Sequence, residues 1–173
     1  MNNNITEHYN WKVSYEKKFN INSIELWKII SQPSNLELFH PFCKNNNTIV
    51  WNEENSIDKI EYYNHRVYTR NFLFWEKNVG YDLKISDKPK KESFVSWRIK
   101  KLNKQNSTLK ITIYPYVLNK GNKLKNFVPF FVFVYPKLRS YLKHIFKGID
   151  WYYNTGNKVS KNQFGKHSWF SIN

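Results

Sequence analysis

The sequence has few of the residues that several common protein classes require. Its single cysteine, Cys43, excludes an internal disulfide and a cysteine-rich zinc site, so a packed core must hold the fold. Its five glycines are not clustered, which excludes the glycine-rich loops that cradle phosphates. No apolar run approaches the roughly 18 residues of a membrane-spanning helix, and residues 1–10 lack the apolar centre of a secretory signal. With 173 residues, 40% of them hydrophobic, the chain is predicted to be one soluble, cytoplasmic domain spanning residues 1–173.

Acidic residues are also scarce, with 13 Asp and Glu against 28 Lys and Arg and a net charge of +15. Such a charge favours binding to polyanions, because cations that neutralise phosphates release counterions. The cations are almost all lysine, however, whereas bidentate recognition of bases and phosphates favours arginine, and no nucleic-acid-binding motif accompanies them. We therefore attribute the charge to a composition rich in lysine and asparagine and devoid of alanine, and we predict no dedicated nucleic-acid binding.

The first part of the chain alternates between strand and helix signals. Residues 13–19 alternate apolar and polar side chains, which predicts a strand with one buried face. The capping pattern at residues 22–25 predicts the start of a helix that stops before Pro33. Residues 34–37 repeat the pattern and predict a second short helix, which leads into residues 39–42.

The middle of the chain has the period of a sheet, and the end has the period of a helix. Within residues 48–113 apolar side chains recur at every second position between short polar turns, which predicts an antiparallel meander. Residues 66–75 carry aromatic side chains on both faces, so the pattern does not orient that strand. The polar residues 119–126 predict a loop. From Pro136 to Gly156 the sequence predicts a helix of about 20 residues with one apolar stripe.

This order of elements, together with several local strings, resembles the helix-grip fold of the SRPBCC superfamily, which includes START, polyketide-cyclase and Bet v 1 proteins. The strings are WKVSYEKKFNINSIELWKIISQPSNLELFHPF, VSWRI, ITIYP and YLKHIFKGIDWYYNTGNKVSKNQFGKHSWF, and they look like a polyketide cyclase or dehydratase type subfamily. The resemblance covers nearly the whole chain and implies an α+β fold. In that fold a curved antiparallel sheet wraps around the long C-terminal helix, with two short helices after strand one. The resemblance also implies a cavity between sheet and helix for an apolar or amphipathic small molecule, such as a lipid or polyketide.

The candidate cavity wall combines inward residues of the late strands with one stripe of the long helix. Tyr62 and Tyr141 are candidates for specificity, because a buried hydroxyl needs a hydrogen-bond partner that a ligand oxygen could supply. Arg70 is a further candidate: if its strand turns Tyr68 and Phe72 inward, the guanidinium enters the cavity and could bind a ligand carboxylate bidentately. The alternative is a filled aromatic core, since pocket and core share one pattern. The predicted wall consists of Trp97, Ile99, Ile111, Ile113, Tyr141, Leu142 and Ile145.

His40 is the candidate catalytic residue, in a segment that the resemblance places near the open end of the cavity. It could orient a polar group of the ligand, or assist enolisation in a cyclase or dehydratase reaction on a polyketide-like substrate, although no carboxylate pair surrounds it in the sequence. The alternative, which we favour, is a histidine held in a tight turn. No metal site and no organic cofactor is predicted. His40 and Cys43 are three residues apart and could form half of a metal site, but the remaining histidines, His8, His65, His144 and His167, are scattered along the sequence.

The most apolar segment, residues 127–135, is flanked by lysines and has two interpretations. As structure, it connects the last strand to the long helix and buries its aromatic side chains. As function, it is a lip of the cavity that dips into a membrane while the lysines meet anionic head groups. The sequence leaves peripheral contact with an anionic membrane, through Phe127 to Tyr135, open beside an interior connector.

Overall fold

The structure, a computed structural model, describes residues 3–88 and 90–171 and has an α+β fold. A π-helical segment, Phe130–Val134, joins the last two helices. The strands are β1 (Val13–Phe19), β2 (Cys43–Val50), β3 (Ile57–Tyr62), β4 (Val67–Glu76), β5 (Gly80–Ser86), β6 (Glu92–Lys101) and β7 (Ser107–Tyr114), and the helices are α1 (Asn3–Thr6), α2 (Ser23–Ser31), α3 (Leu36–Phe39), α4 (Lys123–Pro129) and α5 (Tyr135–Thr155).

All seven strands form one antiparallel sheet in the order β1-β7-β6-β5-β4-β3-β2. Strands β2 to β7 are a meander, as predicted, and β1 pairs with β7, so β1 and β2 form opposite edges. The chain crosses between these edges through α2 and α3. The curved sheet encloses α5 on its concave face, and the predicted helix-grip architecture is confirmed. None of the helices within the described residues is long and apolar enough to cross a membrane.

The two short helices begin in different ways. Helix α2 starts as predicted, with the side chain of Asn22 accepting hydrogen bonds from the backbone amides of Ile24 and Glu25 at 3.0 and 2.9 Å. The capping pattern predicted at Ser34 is wrong, because Ser34 adopts a positive φ of 55°. The Glu37 carboxylate instead accepts a hydrogen bond from the backbone amide of Asn46, at 2.8 Å. Contact with β2 therefore outweighs the local capping preference.

Strand β4, which the pattern did not orient, turns Tyr68, Arg70 and Phe72 to the inner face of the sheet; Tyr68 and Arg70 line the cavity, and Phe72 is buried against Tyr81. A register shift between Phe72 and Phe74 then reverses the alternation. Trp75 consequently joins the core and stacks on Tyr81, with ring centroids 5.4 Å apart. This bulge explains why aromatic residues occupy both phases of the strand in the sequence.

The long C-terminal helix is confirmed. Helix α5 has 21 residues and ends at Gly156, whose left-handed φ of 69° suits glycine. Its close approach to α3 depends on Gly148, because a Cβ at that position would lie 1.7 Å from the carbonyl oxygen of Phe39. Glycine therefore sets the distance between the long helix and the crossover segment that precedes β2.

The prediction of a polar loop over residues 119–126 is wrong in two respects. Helix α4 already begins at Lys123, where the Asn122 side chain accepts a hydrogen bond from the backbone amide of Lys125 at 3.0 Å. Asn119 is buried, and its side chain bonds both the backbone amide and the carbonyl of Trp11, each at 2.6 Å. The segment therefore anchors the N-terminal residues to the connection between β7 and α4.

Candidate functional site: a cavity between sheet and helix

A cavity of about 380 Å³ lies between the concave face of the sheet and α5. This volume falls within the ~300–1,000 Å³ that is usual for small-molecule pockets. Ile99 is not part of the wall, because it pairs with Leu109 where the core is filled. The other predicted residues, together with His40, line the cavity: Tyr62, Arg70, Trp97, Ile111, Ile113, Tyr141, Leu142 and Ile145. That any of them contacts a ligand stays a prediction.

Sequence reasoning missed several wall residues. Some of them share the inward phase of the strands and could have been found by extending the same alternation; these are Ile60, Leu83, Ile85 and Val95. Others lie beyond the regular elements, in the segment after β7 and in the C-terminal tail, where periodicity gives no signal. Those residues are Pro115, Tyr116, Val117, Trp169 and Phe170.

The C-terminal tail, residues 156–171, runs back along α5 and closes one side of the cavity. The backbone amide of Val159 donates to the carbonyl of Leu38, and the ring Nε2 of His167 donates to the carbonyl of Lys137 at 3.0 Å. This route brings the ring of Phe170 to 4.5 Å from that of Tyr62 and 4.7 Å from that of Tyr141, measured between centroids. The only sequence signal for it is an apolar pair within a polar tail.

A polar cluster of His40, Tyr141 and Tyr62 lies on the otherwise mostly apolar wall. His40 ends α3, Tyr141 comes from the first half of α5, and Tyr62 ends β3. The Nε2 atom of His40 lies 2.8 Å from the Tyr141 hydroxyl, which lies 2.9 Å from the Tyr62 hydroxyl. We name these three residues the inner cluster. They meet because the crossover segment, the sheet and the long helix converge at this point.

The electrostatics of the inner cluster keep all three groups uncharged. Burial, reinforced by the charge of Arg70, lowers the pKa of His40 to about 3. Burial also raises the pKa of Tyr62 and of Tyr141 well above 10.0. At neutral pH, His40 is therefore a very weak base and the tyrosines are protonated. Such groups are suited to donating hydrogen bonds more than to accepting protons from a substrate.

Arg70 faces inward, but its guanidinium is already paired bidentately with the carboxylate of Asp58. Its Nε donates to Oδ1 of Asp58 at 2.7 Å, and its Nη2 donates to Oδ2 of the same carboxylate. Asn35 and Asn46 accept further hydrogen bonds from Nη2. Arg70 is 3% exposed and Asp58 is 0% exposed. Burial opposes the charge of Arg70, but Asp58 outweighs it and raises the pKa of the guanidinium. Asp58 shares the phase of Ile60, so its inward position was readable from the sequence.

Two further features of the described residues bear on whether the site could hold a nucleophile or a metal. Cys43 is buried, and burial raises the pKa of its thiol to about 12, so it is not a thiolate at neutral pH. Within residues 3–88 and 90–171, His, Cys, Asp and Glu side chains form no group of three or more that could hold a metal ion.

The segment before α5 presents a second feature, on the surface. Phe130 and Val134 are buried, and Phe130 packs on Trp11 with ring centroids 4.8 Å apart. The opposite side is exposed; it comprises Leu124 (89% exposed), Phe127, Val128 (63%), Phe131, Val132 and Phe133 (59%). We name these six residues the apolar ridge. The interior connector is therefore confirmed for the side that carries Phe130 and Val134, and contact of the exposed side with a membrane stays a prediction.

Comparison with known proteins defines the class of fold. Neither a protein-family model nor a curated protein matches the chain. The structure is similar to that of the di-domain ARO/CYC BexL from the BE-7585A biosynthetic pathway, with a TM-score of 0.67 at 9% identity over 83% of this chain and 48% of BexL. It is also similar to DynU16 of the dynemicin biosynthetic locus, with a TM-score of 0.65 at 11% identity over 87% of this chain and 51% of DynU16. The chain therefore spans about half the length of each.

Two matches that are covered over most of their own length extend the comparison. A START superfamily protein from Mycobacterium smegmatis has a TM-score of 0.57 at 11% identity, over 80% of this chain and 94% of that protein. Norcoclaurine synthase from Thalictrum flavum, solved as a point mutant with a transition-state analogue, has a TM-score of 0.59 at 10% identity over 81% and 91% of the two chains. The predicted resemblance to the SRPBCC superfamily is confirmed at the level of the fold.

Proposed function

We propose that the protein binds an apolar or amphipathic small molecule in the cavity between the sheet and α5. The observation that carries the proposal is that bulky side chains surround about 380 Å³ of space instead of filling it. Protein interiors are close-packed, with few voids larger than a water molecule. A largely apolar cavity with a few convergent polar groups is the usual form of a small-molecule site.

The fold neighbours support the proposal in general terms. BexL and DynU16 come from a biosynthetic pathway and a biosynthetic locus, and a START superfamily protein shares the architecture. A cyclase or dehydratase reaction in the same cavity would require a group that takes a proton from the substrate. His40 is the candidate by position, but a pKa of about 3 makes it a poor base at neutral pH. Binding and sequestration therefore take precedence over catalysis.

Native mass spectrometry of gently purified protein tests the binding proposal. We expect an adduct that organic solvent extracts, or else saturable uptake of an added apolar probe such as methyl laurate. The variant Ile111→Trp fills the cavity and should lose the adduct, whereas Ile99→Val changes a buried residue that does not line the cavity and should keep it. Protein that carries no adduct and takes up no probe, while folded by circular dichroism, would refute the proposal.

A second candidate function is peripheral binding to an anionic membrane, and the apolar ridge favours it. An amphipathic helix binds the interface when exposed apolar side chains lie beside cations. Exposed lysines at positions 120, 123 and 125 flank the ridge. Residues 93–149 contain no Asp or Glu, so no acidic side chain in that stretch offsets these charges. Each lysine near an anionic surface contributes about 1 kcal/mol to binding. Leu138, shortly after the ridge in the chain, lines the cavity.

Sedimentation with liposomes tests the membrane candidate. We expect the protein to pellet with vesicles of phosphatidylcholine and phosphatidylserine, to pellet less with phosphatidylcholine alone, and to be released by salt. Leu124→Gln/Val128→Gln should reduce binding, whereas Ile49→Gln, which changes an exposed apolar residue on β2, should not. Equal binding by both variants, or no preference for the anionic vesicles, would refute this candidate.

A further inference from the structure

The inner cluster carries three protons that can be donated in hydrogen bonds, but only two hydrogen bonds form within it. The backbone amide of Phe42 donates to Nδ1 of His40 at 3.2 Å, so Nδ1 carries no proton. The neutral ring therefore holds its proton on Nε2, which donates to the Tyr141 hydroxyl. Two hydroxyl protons remain, on Tyr141 and Tyr62, and the single contact between these hydroxyls uses only one of them.

One hydroxyl proton of the inner cluster is left over. If Tyr141 donates to Tyr62, the proton of Tyr62 is free; if Tyr62 donates to Tyr141, the proton of Tyr141 is free. Among the described residues, no further acceptor is within hydrogen-bond distance of either hydroxyl. Both side chains line the cavity, so the free donor belongs to the cavity wall. A buried donor without a partner is costly, and a ligand acceptor would satisfy it.

The charges around the cluster indicate what kind of acceptor fits. Arg70 is the buried cation on the cavity wall, and Asp58 matches its charge within a bidentate pair. A ligand carboxylate at the cluster would give up its hydration without meeting an unpaired cation there. The exposed Arg66 lines the cavity as well, but it follows the turn after β3 and is exposed to solvent.

We propose that the cavity selects a ligand whose buried end carries an uncharged hydrogen-bond acceptor, such as a ketone, ester or ether oxygen, and that this oxygen accepts the free hydroxyl proton of Tyr62 and Tyr141. The inference rests on the ligand-binding function proposed above and adds the chemical class of the ligand. In this proposal the two tyrosines determine the specificity of the cavity. Arg70 and Asp58, whose opposite charges pair with each other, have a structural role in the wall.

Calorimetric titration with methyl laurate, laurate and dodecane tests the inference, because the three probes share an alkyl chain and differ in their polar end. The quantity measured is the ratio of the Kd for dodecane to the Kd for methyl laurate. Removing both hydroxyls alone would leave the Nε2–H of His40 as a new free donor on the cavity wall, so the test uses the triple variant His40→Leu/Tyr62→Phe/Tyr141→Phe. This variant has no donor left in the inner cluster and should lower the ratio roughly tenfold, the effect of one hydrogen bond gained or left unmade. Laurate should bind more weakly than methyl laurate to the wild type, and its Kd should be the same in the triple variant.

Single substitutions sharpen the test. In Tyr62→Phe, His40 still donates to Tyr141 and the proton of Tyr141 becomes the free donor, so the wild-type ratio should persist. Tyr63→Phe, which changes a partly buried tyrosine that does not line the cavity, is the matched control and should also keep it. Circular dichroism establishes that each variant is folded.

Two results would overturn the inference in distinguishable ways. If none of the three probes binds the folded wild type, the ligand-binding proposal fails and the inference fails with it. If the probes bind but the ratio is the same in the wild type and the triple variant, or if laurate binds best and loses affinity in the triple variant, binding stands and the proposed ligand class is wrong.

Discussion

Lowering the pH should destabilise the protein through His40. The folded protein holds the pKa of this histidine at about 3, against an ordinary value of 6.5. Between these two values the unfolded chain binds a proton that the folded chain does not. The free energy of unfolding therefore falls as the pH drops from about 6.5 toward about 3, and His40 contributes no change above that window.

The magnitude follows from the width of the window. One unit of pKa difference is worth about 1.4 kcal/mol, so at about pH 5 the contribution is about 2 kcal/mol. Because His40 is 3% exposed, solvent screens little of this effect. A loss of this size is a large part of the ~5–15 kcal/mol that stabilises a typical domain.

Urea denaturation at a series of pH values, followed by circular dichroism, measures the effect in the wild type and in His40→Gln. Glutamine has a side-chain amide that can still donate to Tyr141, but it does not titrate. The free energy of unfolding of the variant should lose less between neutral and acidic pH, by about 2 kcal/mol at about pH 5. His8→Gln, at an exposed position, should follow the wild-type curve. Parallel curves for wild type and His40→Gln would refute the reasoning.

Four further variants test the packing and the ion pair that shape the cavity. Trp97→Ala removes a large wall side chain and should cost about 3–5 kcal/mol of unfolding free energy in urea titrations, and it should weaken the binding of methyl laurate. Asp58→Asn leaves the charge of Arg70 buried without its carboxylate and should cost about 3–5 kcal/mol, whereas Arg70→Met/Asp58→Leu should recover most of that loss in the same measurement. Gly148→Ala places a Cβ against the Phe39 carbonyl and should lower the Tm by several degrees or abolish soluble expression; an unchanged Tm would contradict the close approach of α3 and α5.

The regular elements were predictable because their period reports which face is buried. The alternation in the strands and the stripe on α5 predicted the sheet and the long helix. They also predicted wall residues that, apart from Ile99, the structure places around the cavity. The same alternation could not orient β4, since the bulge after Phe72 changes the phase within the strand. Such a shift depends on pairing with β5, which a local pattern does not contain.

The polar part of the site depends on contacts between distant segments. Arg70 and Asp58 lie on neighbouring strands and form an ion pair. A sequence pattern within one strand does not show which residue of another strand lies beside it, so the pair was not predicted. In the inner cluster, His40 contacts Tyr141, which lies 101 residues later in the sequence. The position of Phe170 depends on the path of the tail along α5, which no periodicity encodes. The alternation of side chains thus predicts the fold and its cavity, whereas the arrangement of the polar groups in the cavity requires the three-dimensional structure.

The path of the C-terminal tail separates access to the cavity from the stability of the core. Trp169 and Phe170 form part of the wall, yet in the described residues the tail is tied down by individual hydrogen bonds and side-chain packing, with no strand ladder. Segments held in this way open locally at a lower free energy than the sheet. A molecule could thus exchange through this side while the seven strands and α5 stay intact, so the rate of entry and exit would follow the anchoring of the tail, independently of global unfolding.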